Sequence, residues 1–224
     1  MTKPIAWSYS ALNAFETCPR QFYEVRVAKN YADEMGEAAK WGDYVHKCLD
    51  KRIGEGKRLP DALQIYEKYA QRFDNAPGTV YSERKIALTQ DLEPVPFFDK
   101  RVWVRGIIDI SVINKQRGAA WDWKSGKRKL DGRQLKLFAA LMFALHPELE
   151  QVNTGYIWLK DSKMDKNMYL REHVPELWGT FTPAVARLER AHAENNWPPN
   201  PSGLCRKWCP VMSCEYNGRR NNNE

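Results

Sequence analysis

The spacing of apolar residues changes period along the chain. It runs first at three to four, then at two, then at three to four again. The early helical spacing predicts three helices. Ser8 or Ser10 can cap a short one carrying Ala11, Leu12 and Phe15. A second runs from about Glu37 to Ile53, with Ala38, Trp41, Val45, Leu49 and Ile53 on one face and Gly54 and Gly56 at its end. Pro60-Asp61 opens a third, with Leu63, Tyr66, Ala70 and Phe73 on one side. Strands follow over Thr79–Leu88, Arg101–Ile113 and Ala119–Lys124, the last two joined by the turn Asn114–Gly118. A helix over about Asp131–Leu145 stops before Pro147. Two more strands are expected near Val152–Leu159 and Met168–Val174, and a last long helix over Glu176–Asn195. Trp197–Gly203 reads as rigid and irregular, and 219–224 as a frayed tail. This order predicts an α/β fold with a mixed central sheet flanked by helices.

At 224 residues the chain suits a single domain over 1–224, large enough to fold without disulfides. Its aromatic content of 12% excludes a disordered or collagen-like chain. No apolar run reaches membrane-spanning length, and the start lacks a secretory pattern, so a cytoplasmic protein with no membrane partner is expected. Lys plus Arg exceeds Asp plus Glu by 35 − 28 = 7. That basic balance suits a polyanionic partner.

Chemistry concentrates in Arg105-Gly-Ile-Ile-Asp109 and Trp121-Asp-Trp-Lys124. Both acids sit among apolar strand residues, where a lone carboxylate is expensive. A hairpin about Asn114–Gly118 would make Asp109 and Asp122 near cross-strand neighbours, and Lys124 leaves the strand on the same side as Asp122. Two acids and an amine on one face are the parts of a hydrolytic site. The acids would hold Mg²⁺, and the lysine would orient water or steady charge on phosphate. A plain surface hairpin with an Asp122–Lys124 ion pair is the competing reading.

Five cysteines are present. Cys205, Cys209 and Cys214 crowd within ten residues, which points to a soft metal with a fourth ligand from elsewhere, Cys18 being the candidate. Cys48 reads as a small buried hydrophobe. Lys127, Arg128, Lys129 and Arg133 form a basic loop after the Asp122 strand, placed to meet DNA phosphates. Arg20, Arg206, Lys207, Arg219 and Arg220 could make a second patch, with Trp7, Tyr9, Trp208 and Tyr216 stacking on bases. His146, His173 and His192 have no such company and read as surface residues.

In order, His46, Glu83, Gly106-Ile-Ile-Asp109, Asp122-Trp-Lys124 and Gln134 resemble the PD-(D/E)XK nuclease superfamily. The closest likeness is to its RecB-type branch, with the iron–sulfur AddB nuclease domain and the CRISPR-adaptation exonuclease. The opening Trp7–Phe22, with its Cys-Pro, is similar to that branch's N-terminal motif, and the likeness covers about 7–216. It implies a restriction-endonuclease-like core and a metal-dependent DNA exonuclease of recombination, repair or viral DNA processing. It implies a Mg²⁺ or Mn²⁺ site built from Asp109, Asp122, His46 in Gly42-Asp-Tyr-Val-His46, and the carbonyl of Trp123. Lys124 and Gln134 would serve catalysis, and Glu83 would lie near the metal. Taken without the resemblance, His46 reads as a core histidine and Glu83 as part of a solvated strand face. Gln134-Leu-Lys-Leu-Phe138 departs from the branch's motif, which ends in Tyr. The cysteines resemble its [4Fe–4S] staple, tying the termini together, although Cys-x₃-Cys-x₄-Cys differs from the branch's spacing and Zn²⁺ is the alternative. DNA is the implied partner. Any unwinding would come from a helicase or single-strand annealing partner, and a ring-shaped oligomer is known among related exonucleases. A non-catalytic DNA-binding module and a zinc-containing interaction protein are the competing functions.

Overall fold

A computed structural model of the chain describes residues 5–128 and 131–219. Lys129 and Arg220 of the two basic patches lie outside the described residues. In chain order the elements are α1 (Tyr9–Thr17), α2 (Pro19–Phe22), α3 (Glu37–Glu55), α4 (Glu67–Asp74), β1 (Thr79–Leu88), β2 (Val104–Asn114), β3 (Arg117–Lys124), α5 (Arg133–Leu145), β4 (Gln151–Trp158), β5 (Lys163–Leu170), α6 (Val174–Gly179) and α7 (Thr182–Glu194). The chain divides into two compact units, one made of 1–34 and 181–224, the other of 35–180.

The larger unit holds a five-stranded sheet in the order β1-β2-β3-β4-β5. All neighbours are antiparallel except β3 and β4, which are parallel because α5 crosses over between them. The predicted mixed sheet flanked by helices is therefore observed. On one face, Ile110, Val112, Trp123 and Ile157 pack with Val45 and Leu49 of α3 and with Tyr69, Ala70 and Phe73 of α4. Phe73 meets Trp123 edge to face at 6.1 Å. The other face carries α5, which is apolar nearly all round and almost wholly buried. Gly106 and Gly118 let it lie close. A Cβ on Gly106 would come 2.5 Å from Leu141, and one on Gly118 would come 3.3 Å from Met142.

Most element ends shift by one to three residues, the second strand running Val104–Asn114 instead of Arg101–Ile113, and three segments differ by more. Asp61–Tyr66 is a 3₁₀ turn leading into α4, not one helix from Pro60. The fifth strand covers Lys163–Leu170 rather than Met168–Val174. It is a half-exposed edge strand, so it lacks an alternating apolar signal. The expected helix Glu176–Asn195 is broken into α6 and α7. Pro183 sits in the first turn of α7, where its missing N–H does no harm; inside a continuous helix it would remove a bond.

In the smaller unit, Ser8 caps α1 by accepting from the Ala11 N–H at 3.3 Å. Trp197 anchors the core there: its ring lies 5.3 Å from Tyr23, 5.9 Å from Phe22 and 6.2 Å from Phe15. Trp7 is only 1% exposed and packs against Phe181, so it cannot stack on a base as the sequence suggested.

Candidate active site

Regular pairing between β2 and β3 ends at Ile110 opposite Trp121. The next pair in register is Asp109 and Asp122. There the ladder is replaced by a side chain: Asp109 Oδ2 accepts from the Trp123 N–H at 2.8 Å. The β1–β2 ladder also skips this level, since Ser82 pairs with Ile110 and Arg84 with Ile108. The skipped residue, Glu83, has φ +43°, a left-handed value that is strained for a non-glycine in a strand. Three strands thus loosen together at the level of the two acids, which frees polar side chains that a regular sheet would bury against apolar neighbours.

Asp122 is 4% exposed and sits in a tight network. Its Oδ1 accepts from Gln134 Nε2 of α5 at 2.9 Å, and Gln134 Oε1 accepts from Lys124 Nζ at 2.9 Å. That amide orientation satisfies both partners at once. Lys124 Nζ also lies 2.5 Å from Asp122 Oδ2, but that oxygen has no donor in hydrogen-bonding geometry, so it is a buried acceptor held by charge alone. The Lys124 ammonium stands 5.1 Å from the centre of the Tyr156 ring. His46 Nδ1 on α3 is 3.2 Å from Asp109 Oδ2, so both contacts of Asp109 fall on one oxygen.

Of these groups, His46, Asp109 and Trp123 border a cleft of about 250 Å³, whose other lining residues are Asp43, Lys47 and Asp50 of α3 and Glu83 and Ile107 of the sheet; Asp122 and Lys124 lie behind it. Asp43, Lys47 and Asp50 were missed in the sequence, although they recur with His46 at the three-to-four spacing that marks one helix face. Gly42 earns its place one turn before His46, because a Cβ there would stand 3.0 Å from Ser125 Oγ, just after Lys124.

The charges act on one another. Burial, then the charge of Asp109, pushes the Asp122 carboxyl up to about 6, against the pull of Lys124. For His46, burial alone lowers the pKa, but the hydrogen bond to Asp109 and the charges of Asp109 and Asp122 outweigh it, and the net shift is upward. Both folded values lie above the unfolded ones of ~3.9 for Asp and ~6.5 for His. Their stabilisation is therefore full at low pH and lost as pH rises through the folded values. The carboxylates held below their usual range, Glu55, Asp74, Asp99, Glu148 and Asp165, shift the opposite way and lose their stabilisation only at lower pH. In chelator the protein should therefore melt at a lower temperature at pH 8 than at pH 5.5. Asp122→Asn should raise the pH 8 value and flatten the slope in differential scanning fluorimetry. An unaltered slope in the variant would refute the strained-carboxylate account.

The other predicted site residues lie elsewhere. Arg128 makes a two-pronged ion pair with Asp165 on β5, at 3.0 Å for Nε. Arg133 begins α5 with its N–H on Asp131 Oδ1 at 3.0 Å, and Lys127 is exposed. Arg20 pairs with Glu24 at 3.1 Å in the smaller unit. Phe138, at the expected tyrosine position, is in the core. His146, His173 and His192 are half-buried rather than on the surface, and His173 Nδ1 accepts from the Leu170 N–H at 3.0 Å.

Cys18, Cys205, Cys209 and Cys214 border one small pocket, and all are free thiols. Backbone N–H groups of Asn200 and Ser202 point to the sulfurs of Cys18 and Cys205, each at 3.4 Å. Burial, joined by the charges of the other three sulfurs, pushes the Cys209 thiol up. Cys48, on α3, instead packs against the edge of the core between the sheet and α3 and α4, half-buried where a buried hydrophobe was expected. Among the described residues, no three or more His, Cys, Asp or Glu side chains already stand in a metal-ligand arrangement, in the cleft or at the cysteines. The donor chemistry of each set nonetheless suits a cation: hard oxygens plus an imidazole, with a buried unbonded oxygen on Asp122, and four sulfurs that repel one another as thiolates.

A mixed five-stranded sheet with helices on both faces, and paired acids plus lysine where its strands loosen, is a restriction-endonuclease-like arrangement. The sequence profile of the PD-(D/E)XK nuclease superfamily matches residues 6–214, and the chain belongs to that superfamily. Nucleases of this superfamily typically use divalent metals such as Mg²⁺ or Mn²⁺. Among solved structures, a provisionally assigned exonuclease from Eubacterium rectale shares 11% identity over 96% of this chain and 88% of its own, with a TM-score of 0.51. The crystal structure of SSO0001 is similar over 97% of this chain and 89% of its own, at 14% identity and a TM-score of 0.48. Among curated proteins none matches. No helix among the described residues is long and apolar enough to cross a membrane.

Proposed function

We propose that this chain is a divalent-metal-dependent deoxyribonuclease, an exonuclease of the RecB-type branch acting in recombination, repair or viral DNA processing in the cytoplasm. One observation carries the reading. Gln134 and Lys124 together hold a buried carboxylate, Asp122, beside a second acid, Asp109, and leave Asp122 Oδ2 without a hydrogen-bond donor. Among the described residues the Lys124 ammonium pairs with that oxygen at 2.5 Å, but outside hydrogen-bonding geometry, which leaves its lone pairs open to a cation.

Asp109 and Asp122, with His46 and the main-chain carbonyl of Trp123, would hold Mg²⁺ or Mn²⁺. When bound, such a cation polarises a phosphoryl oxygen and lowers the pKa of water. Lys124 keeps its ammonium beside the scissile phosphate and steadies the charge that develops there. Gln134 positions Lys124 and Asp122 against each other. Glu83, set by its strained backbone on the cleft wall, adds negative charge near the cation. Lys127 and Arg133, with Lys129, meet backbone phosphates after β3, and Arg128 would join them by exchanging Asp165 for phosphate; in the smaller unit, Arg20 would bind phosphate by releasing Glu24.

The family profile runs through both compact units, which supports reading 1–224 as one nuclease domain. Cys18, Cys205, Cys209 and Cys214 would bind a [4Fe–4S] cluster, or Zn²⁺ in its place, as a structural staple, since hydrolysis needs no electron transfer. A helicase partner would supply unwinding, a single-strand annealing protein is the other expected partner, and assembly into a ring would aid processivity.

Digestion of linear and circular DNA, single- and double-stranded, with free or blocked ends, tests the reading. Linear substrates with free ends should be degraded with Mg²⁺ or Mn²⁺ and spared in chelator. Equal cleavage of closed circles would replace the exonuclease reading with an endonuclease.

A further inference from the structure

Asp109, Ile107 and Arg105 alternate along β2, so their side chains leave the same side of the strand. Across from them on β1, Lys85 pairs with Ile107 and Ala87 with Arg105. This row begins in the cleft, which Asp109 and Ile107 line. It is open to solvent: Ile107 is 40% exposed, and Lys85 is exposed with its ammonium 3.7 Å from Glu83. Arg105 lies four residues from Asp109, ~13 Å at ~3.3 Å per residue.

The row ends at an aromatic pair. The Arg105 guanidinium sits 5.3 Å from the centre of the Phe97 ring, and among the described residues it has no carboxylate partner. Phe97 and Phe98 meet edge to face at 5.2 Å. They occupy the middle of a turn closed by the Asp99 N–H on the Pro96 carbonyl at 2.9 Å. Turn centres favour Gly, Asn or Asp; here Phe98 stands 83% exposed. The segment behind it is pinned to β1 by the Val95 N–H on Ala87 at 3.0 Å and the Trp103 N–H on Leu88 at 2.8 Å. An exposed ring on a fixed mount loses little freedom on binding. Cations beside an open apolar floor and an aromatic tip are what a single strand needs: charges for its phosphates and a platform for unpaired bases. A duplex hides its base faces from such a platform.

We infer that this row is a track for a single-stranded stretch of DNA. Lys85 and Arg105 contact its phosphates, Phe98 stacks on an unpaired base, and the strand is led into the Asp109 cleft. The inference rests on the nuclease reading, so its test reads binding without cleavage. Anisotropy of a fluorescent 20-mer single strand is measured in chelator with the full chain. Phe98→Ala and Arg105→Ala should each weaken binding about tenfold, with thermal melting unchanged. Phe98→Trp should restore affinity and Phe98→Leu should not, since leucine is apolar without a stacking face. A blunt duplex should lose much less. Single-strand affinity within twofold of wild type in both alanine variants overturns the track, as does rescue by Phe98→Leu equal to that by Phe98→Trp. A wild type that binds but never cleaves refutes the nuclease reading instead, and the same binding series still decides the track.

Discussion

Lys124→Ala is expected to lower the rate of DNA cleavage by about 10²–10³, the usual cost of losing one preorganised charge at a developing oxyanion. Binding of DNA should persist. A second effect sets it apart from loss of a ligand. Lys124 draws the Asp122 pKa down from the value that burial and Asp109 impose. Without the lysine, Asp122 holds its proton to higher pH and binds a cation less well. The residual activity of Lys124→Ala should therefore rise with pH further into the alkaline range than wild type does. Asp109→Ala and Asp122→Ala should be at least as impaired, with no alkaline recovery. His46→Ala should be milder and partly rescued by Mn²⁺, which suits imidazole and carboxylate alike. Single-turnover cleavage across pH 6–9 separates these cases, and a Lys124→Ala profile parallel to wild type would contradict the coupling.

The second large effect concerns the cysteines. Cys18→Ser, Cys205→Ser, Cys209→Ser and Cys214→Ser should each lower metal content and stability, whereas Cys48→Ser should keep both. Serine supplies a hard oxygen where a soft thiolate is wanted. Segment 203–219 is mostly turns, with one short 3₁₀ stretch at Gly203–Arg206. Its small core is Cys209, Val211 and Cys214 with Val25 and Tyr31. Few apolar residues hold such a segment, so a metal would contribute much of its order. Limited proteolysis should cut the variants in this segment first. Protein made anaerobically should absorb broadly near ~400 nm if the metal is an iron–sulfur cluster. Stoichiometric zinc without iron or sulfide would select the alternative, and neither metal would remove the staple altogether.

Where the sequence was legible, one physical signal dominated. The alternation in β1 and the Val- and Ile-rich run of β2 marked strands, and the turn expected at Asn114–Gly118 joined β2 to β3 as a hairpin, formed in the structure by Lys115 and Gln116. The site was legible through types out of place: acids in apolar strands. Its geometry was not. Nothing in the composition tells that Asp109 would take over the Trp123 N–H, or that Glu83 would adopt a left-handed backbone opposite it. Those depend on how three strands part at one level. The Pro183 break between α6 and α7 was written in the sequence and outweighed by the helical spacing around it. The tie between Arg128 and Asp165 joins residues 37 apart in the chain, beyond the reach of local patterning.

The central claim is that the Asp109–Asp122–Lys124 cleft hydrolyses DNA with a divalent cation. Its most direct test compares wild type with Asp122→Asn on linear single-stranded DNA, with Mg²⁺ and with chelator. Asparagine keeps the shape and the acceptor for Gln134 but not the charge. Cleavage by wild type with Mg²⁺ alone, and none by a folded Asp122→Asn, is the predicted result. Full cleavage by Asp122→Asn, or by wild type in chelator, would contradict it.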